Sequence, residues 1–139
     1  MNALFVDTGG WACLADRREQ HHATAARIYR DARRQGRLVV TTNYVLAELV
    51  ALLTSPKRLS RPRIITFIEA IKLAPKTEVV HIDASLDAQA WQLLANRQDK
   101  EWSLVDGTSF IIMQQRGIID ALTTDHHFEQ AGFVRLLKP

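Results

Sequence analysis

Asp7, Glu48, Asp106 and Asp125 are acids set among apolar residues, where an ionised carboxylate is costly unless something pairs with it. Asp7 ends the apolar run Ala3-Leu4-Phe5-Val6 and is followed by Thr8, Gly9 and Gly10. That is the pattern of a short buried strand passing into a turn. Glu48 is the only charged residue between positions 44 and 53, a stretch helical in pattern and apolar all round, so it should be buried on most sides. Asp106 lies three residues after Ser103, and Asp125 follows the strand-like Ala121-Leu122-Thr123-Thr124.

Each acid also has a plain structural reading. Asp7 could cap a helix starting near Gly10, and Asp125 could cap the turn after it. Ser103 with Asp106 resembles a capping box, although Glu or Gln is the usual partner. Glu48 sits mid-helix and cannot be a cap; its structural alternatives are an ion pair to a distant Arg or a narrow exposed edge.

The joint placement argues further. Asp7 and Asp125 end strands, whereas Glu48 and Asp106 fall in early turns of helices. In a parallel sheet all four points lie at the carboxyl edge of the strands, where such sheets bind ligands. Four acids sharing one crevice repel one another unless cations hold them. Oxygen-only donors suit hard divalent ions, Mg²⁺ or Mn²⁺ rather than zinc, and leave coordination positions open for phosphate oxygens. One or two such ions can activate water and stabilise a leaving oxygen in phosphodiester hydrolysis.

The elements that must position these acids alternate. Strands are expected at 3–6, 38–41, 78–82, 119–123 and 134–136. Helices are expected at 11–14, 19–35, 44–53, 61–73, 85–96 and 103–115, with a helical turn at 125–131. Thr42 or Asn43 should cap the third helix, Gly36 and Gly117 should stop their helices, and Pro56 and Pro75 should end theirs. Ala23, Ala26, Ile28 and Tyr29 offer one apolar face, Ile64, Ile65, Ile68 and Ile71 another, and Ala88, Trp91, Leu94 and Ala95 a third. Strands alternating with helices imply an α/β fold, a three-layer α/β/α domain around a central, mostly parallel sheet. At 139 residues, with no repeat or linker, the chain is expected to form a single domain over 1–139.

Net charge is +3, and arginines cluster at 17–18, 27–37 and, with Lys57, at 57–63, which suits a phosphate backbone as well as a solvated helix face. No apolar run approaches the roughly 20 residues of a membrane span, and no signal sequence is evident, so a cytoplasmic location is expected. Cys13 is the only cysteine and reads as a core residue.

In these stretches the chain resembles the PIN-domain ribonucleases, in particular the VapC-type toxins of bacterial toxin–antitoxin pairs. The resemblance rests on Phe5-Val6-Asp7-Thr8, on Thr41-Thr42-Asn43-Tyr44-Val45-Leu46-Ala47-Glu48-Leu49, on Trp102-Ser103-Leu104-Val105-Asp106-Gly107-Thr108-Ser109-Phe110, and on Leu122-Thr123-Thr124-Asp125-His126-His127-Phe128 with Gly132-Phe133. They occur in the family's order and cover almost the whole chain. Gly9-Gly10 departs from it, standing where the family more often has a hydroxyl residue. The resemblance implies a PIN-like fold and an Mg²⁺- or Mn²⁺-dependent endoribonuclease, the toxin of a type II module. Asp7, Glu48, Asp106 and Asp125 would form its catalytic metal site. Asp7 and Asp106 would be the principal ligands, and Glu48 and Asp125 would hold water or a second ion. Thr8 and Ser103 would hydrogen-bond the carboxylates or a bound water. It also implies an RNA substrate, a cognate antitoxin protein that occludes the site, and a homodimer.

Two rivals belong to other classes. A catalytically inactive PIN-like RNA-binding domain would have no need of a full acidic cluster. A phosphoaspartyl receiver or phosphatase needs acids or a lysine that are missing here; Gly9 stands where that phosphatase requires a second Asp. His21-His22 and His126-His127 read as solvated surface, because neighbours on a helix diverge by about 100°, although His126 beside Asp125 could touch substrate. Trp11 and Trp102 read as packing residues and Trp91 as core. Glu101, with Asp99, could add outer charge to the site.

Overall fold

The computed structural model describes residues 2–139. Its elements are β1 (Leu4–Val6), α1 (Thr8–Ala15), α2 (His22–Arg34), β2 (Val39–Thr42), α3 (Asn43–Thr54), α4 (Arg61–Leu73), β3 (Thr77–Val80), α5 (Ala84–Asn96), α6 (Leu104–Arg116), β4 (Asp120–Leu122), α7 (His127–Gln130) and β5 (Val134–Arg135). The strands form one sheet in the order β3-β2-β1-β4-β5. Every pairing is parallel. The α/β/α architecture read from the sequence holds, with parallel pairing throughout rather than in part.

The central strand shows why. Leu4, Phe5 and Val6 are all fully buried, an unbroken apolar run that both covered faces of a parallel sheet require. Phe5 packs toward Phe128 of α7 at a centroid separation of 6.3 Å. On α1, Trp11 is buried and its Nε1–H donates to Thr41 Oγ1 of β2 at 3.0 Å. Burying a large apolar side chain contributes about 1.5–3 kcal/mol, so these contacts fix the layers. No helix among the described residues is long and apolar enough to cross a membrane.

From β1 the chain works outward to β2 and β3, then crosses back to β4 and β5 on the other side. The reversal falls between β1 and β4, whose register pairs Val6 with Leu122. At such a reversal the connections diverge and leave a crevice beyond the carboxyl ends of the strands. Asp7 and Asp125 both lie there.

Helix starts follow expected capping chemistry. Thr42 rather than Asn43 caps α3, accepting from Val45 N–H at 3.0 Å. Asn43 Oδ1 instead accepts from Ile82 N–H at 2.7 Å, tying α3 to the segment after β3. Helix α4 spans the expected residues, with Ser60 at its N-cap. Helix α6 ends at Gly117, whose φ of 64° is the left-handed conformation that glycine adopts freely.

Other expectations require correction. Helix α1 begins at Thr8, and α2 at His22 rather than 19. The intervening loop is organised by its own charges: Asp16 accepts from the Arg18 amide and guanidinium, and Glu19 pairs with Lys57. On α2 the buried residues are Ala25 and Ala32, while Ala23 is exposed. On α4, Ile64 and Ile71 are buried but Ile65 is exposed. Helix α5 is rotated from the expected phase. Ala90 is its buried residue, flanked by half-buried Leu86, Leu93 and Leu94, whereas Ala88 and Ala95 are exposed and Trp91 is 56% exposed. The cause lies on α6: a β-carbon built on Gly107 would sit 3.4 Å from Ala90 Cβ. That approach admits a small residue at the α5–α6 contact and leaves Trp91 outside. Trp91 is therefore not core.

Candidate metal centre

Asp7 occupies the N-cap position of α1, yet its side chain makes no capping hydrogen bond. It is 5% exposed, and its Oδ2 accepts from Thr123 Oγ1 at 3.0 Å. Burial drives its pKa up to about 7; the charges of Asp106 and Glu48 add to the rise, while the Thr8 amide and Thr123 hydroxyl oppose it. The capping account of Asp7 therefore fails, and a buried, destabilised carboxylate remains.

Glu48 departs from its expected burial. Val45, Leu46, Leu49 and Leu53 are the buried residues of α3, but Ala47, Glu48 and Ala51 form an exposed edge. The burial expected on most sides is corrected to an edge open to the crevice, because α1, α4 and α6 cover only part of the helix. Across that edge Thr8 Oγ1 donates to Glu48 Oε1 at 2.5 Å. Partial loss of hydration raises the Glu48 pKa; the Thr8 bond opposes the rise, and Asp106 and Asp125 add to it.

Asp106 combines two uses. Ser103 and Asp106 form the reciprocal capping box expected of them: Asp106 N–H donates to Ser103 Oγ at 3.0 Å and Ser103 N–H to Asp106 Oδ2 at 3.1 Å. The carboxylate is nonetheless buried, which raises its pKa, with the Ser103 amide opposing and Asp125 adding. Asp125 accepts from His127 N–H through Oδ1 at 2.9 Å, so its structural reading as the organiser of the following turn also holds.

All four acids line one crevice of about 420 Å³, together with Thr8, Ser103, Glu101 and His127. Among the described residues the rings of His126 and His127 are the basic groups within 4.0 Å of these acids; no Arg or Lys pairs with them. The donor set is oxygen from four carboxylates, which fits Mg²⁺ or Mn²⁺. A groove of similar size between α1 and α4, lined by Ala15, Leu59, Pro62 and Phe67 among others, contains no acid.

Two residues join the site that the sequence reading does not assign to it. Thr123 Oγ1 donates to Asp7 and accepts from Asp125 N–H at 3.0 Å, joining two acids 118 positions apart through one hydroxyl. His127, set aside as surface, is 20% exposed at its side chain, with Nδ1 3.0 Å from Asp106 Oδ2. His126, by contrast, is 64% exposed. Trp11 and Trp102 are buried packing residues, as expected.

The departure at Gly9-Gly10 has a steric basis at Gly10. A β-carbon on Gly10 would lie 2.1 Å from the Leu122 carbonyl oxygen, and one on Gly9 would lie 2.9 Å from Thr124 Oγ1. Helix α1 crosses β4 too closely for a side chain at Gly10.

Comparison with known proteins agrees with this architecture. The PIN domain family matches residues 4–134. The 23S rRNA-specific endonuclease VapC20 of Mycobacterium tuberculosis is 37% identical over 133 residues, 96% of this chain and 97% of that protein. The crystal structure of VapC20, described as a Sarcin-Ricin loop cleaving toxin, superposes with a TM-score of 0.83 at 34% identity, covering 99% of this chain and all of that one. PAE2754 from Pyrobaculum aerophilum shares the fold at a TM-score of 0.63 and 13% identity, over 97% of this chain and 91% of its own. FitAcB from Neisseria gonorrhoeae does so at 0.61 and 16%, over 95% of each chain.

Proposed function

This chain belongs to the PIN-domain family, and from that premise we propose that it is a divalent-cation-dependent endoribonuclease hydrolysing RNA phosphodiester bonds. The observation that carries this reading is the crevice itself. Four carboxylates meet at the sheet's reversal point with no Arg or Lys paired to them, and burial holds Asp7 and Asp106 at raised pKa. An acid arrangement this unfavourable in the free protein is a binding site for a cation.

Asp7 and Asp106 would hold the ion, and Glu48 and Asp125 would orient water or hold a second ion. Thr8 fixes the Glu48 carboxylate through its hydroxyl, and Ser103 fixes Asp106 through its amide. Bound Mg²⁺ or Mn²⁺ would supply Lewis-acid stabilisation of phosphoryl charge and a water of lowered pKa. Several basic residues are occupied elsewhere: Arg18 with Asp16, Arg37 with Asp120, Arg116 with Glu78. Arg17, Arg58, Arg61 and Arg63 form no ion pair among the described residues and would meet the phosphate backbone.

By kinship with VapC20 the substrate is ribosomal RNA, with the 23S species the first to test. The relative is described as a toxin; that this chain is one too, held inactive by an antitoxin protein and acting in the cytoplasm as a homodimer, is part of the same proposal and follows the family resemblance.

The test is cleavage of end-labelled total RNA and 23S rRNA by purified protein with Mg²⁺, with Mn²⁺ and with EDTA. Discrete metal-dependent products, absent for Asp7→Asn, are expected. RNA binding without cleavage, and without a thermal shift on adding metal, would establish the non-catalytic RNA-binding domain instead.

A further inference from the structure

We propose that His127 is a positioning residue: its Nδ1–H holds Oδ2 of Asp106 and thereby presents the other oxygen, Oδ1, to the crevice. The inference rests on the metal-site reading above and adds to it a residue outside the acidic set. An ionised carboxylate oxygen only accepts, so with Asp106 ionised the hydrogen of the 3.0 Å contact to its Oδ2 sits on His127 Nδ1. Ser103 N–H donates to that same oxygen at 3.1 Å. Oδ2 is thus held from two sides, whereas Oδ1 has no hydrogen-bond partner among the described residues. A carboxylate held at one oxygen cannot rotate, and its free oxygen has one direction to face.

The packing shows how a residue 21 positions away reaches this point. Phe110 lies one helical turn after Asp106, on the same face of α6. Phe128, fully buried beside His127, meets Phe110 edge-on at 4.9 Å and Phe5 of β1 at 6.3 Å. Trp102 closes the stack on Phe110 at 5.0 Å, and its Nε1–H donates to Gln130 Oε1 at 2.9 Å. Short α7 is therefore clamped to α6 by aromatic contacts that set the register of His127 against Asp106. The His127 amide, bonded to Asp125 Oδ1 at 2.9 Å, fixes the turn from the other end.

The competing role is direct ligation. Donor atoms of Asp125, His126 and His127 lie within 4.8 Å of one another, so His127 could ligate an ion through a ring nitrogen, and with Nδ1 on Asp106 that nitrogen would be Nε2. Two substitutions separate the roles, because Asn places an amide NH₂ near the Nδ1 position and Gln places its terminal group near Nε2. Mn²⁺ affinity by calorimetry and cleavage kinetics are measured for wild type, His127→Ala, His127→Asn and His127→Gln. We expect His127→Ala to weaken Mn²⁺ roughly ten-fold or more and to lower kcat with little change in KM. His127→Asn should recover most of both, and His127→Gln neither. Wild-type behaviour of His127→Ala overturns the inference. Rescue by Gln but not Asn overturns it in favour of ligation, and equal loss in all three variants overturns it in favour of packing. The ¹⁵N spectrum of the His127 ring at pH 8 without metal reads the hydrogen bond directly. An Nδ1–H tautomer is expected, and an Nε2–H tautomer overturns the inference even if the wild type binds no Mn²⁺, a result that would separately refute the metal-site reading.

Discussion

Thr8 Oγ1 donates to Glu48 Oε1 at 2.5 Å, joining the first turn of α1 to the second turn of α3 across 40 residues of chain. The bond holds Glu48 over the crevice although its helix edge is open to solvent. Glu48→Gln keeps an acceptor for Thr8 and removes the charge. Its cleavage rate should fall roughly 100-fold or more while the melting temperature stays near wild type. Thr8→Val deletes the donor, and a loss of about ten-fold in kcat with an intact fold is expected. Single-turnover cleavage beside thermal melts checks both.

Asp7 makes the metal-free protein pH-sensitive in a definite direction. Its folded pKa is about 7 against 3.8 for the free side chain. Between those values the folded state binds more protons than the unfolded state, so stability falls as pH rises from 4 toward 7 and stays low above it. At about 1.4 kcal/mol per pKa unit, the full effect is on the order of 4 kcal/mol. Glu48 and Asp106, also raised, act in the same direction. Asp7→Asn should therefore abolish cleavage yet melt higher than wild type at pH 8, with the gap closing toward pH 4. Melting curves in EDTA across pH 4–8 test this, and equal melting of both proteins at pH 8 would count against it.

Metal should reverse that penalty. Ionised carboxylates bind the ion and protonated ones do not, so the thermal stabilisation by Mn²⁺ should be larger at pH 8 than at pH 5. EDTA should remove the stabilisation and the cleavage together. An equal shift at both pH values would place the ion elsewhere.

Gly10 and Gly9 should respond differently to a methyl group. At Gly10 the new carbon would meet backbone, the Leu122 carbonyl oxygen at 2.1 Å, so Gly10→Ala must move α1 off β4. A loss of about 3 kcal/mol or more is expected, at or above the usual cost of overpacking. At Gly9 the nearest atom is a side-chain hydroxyl, Thr124 Oγ1 at 2.9 Å, which can rotate away. Gly9→Ala should cost under about 1 kcal/mol by urea denaturation.

The sequence by itself determined the fold class, because strand and helix periods alternate and a buried parallel strand such as Leu4-Phe5-Val6 must be apolar throughout. It also marked the four acids, since a carboxylate breaking an apolar run stands out against its neighbours. Tertiary structure decided what depends on distance across the chain. The rotation of α5 follows from how closely Gly107 lets Ala90 approach, which no periodicity within α5 contains. The exposed edge of α3 depends on where α1, α4 and α6 stop covering it. Thr123 and His127 join the site through hydrogen bonds to residues 116 and 21 positions away. A local pattern records whether a side chain prefers water or oil; which carboxylate a hydroxyl or an imidazole meets is set only when the sheet closes and the aromatic stack locks α7 onto α6.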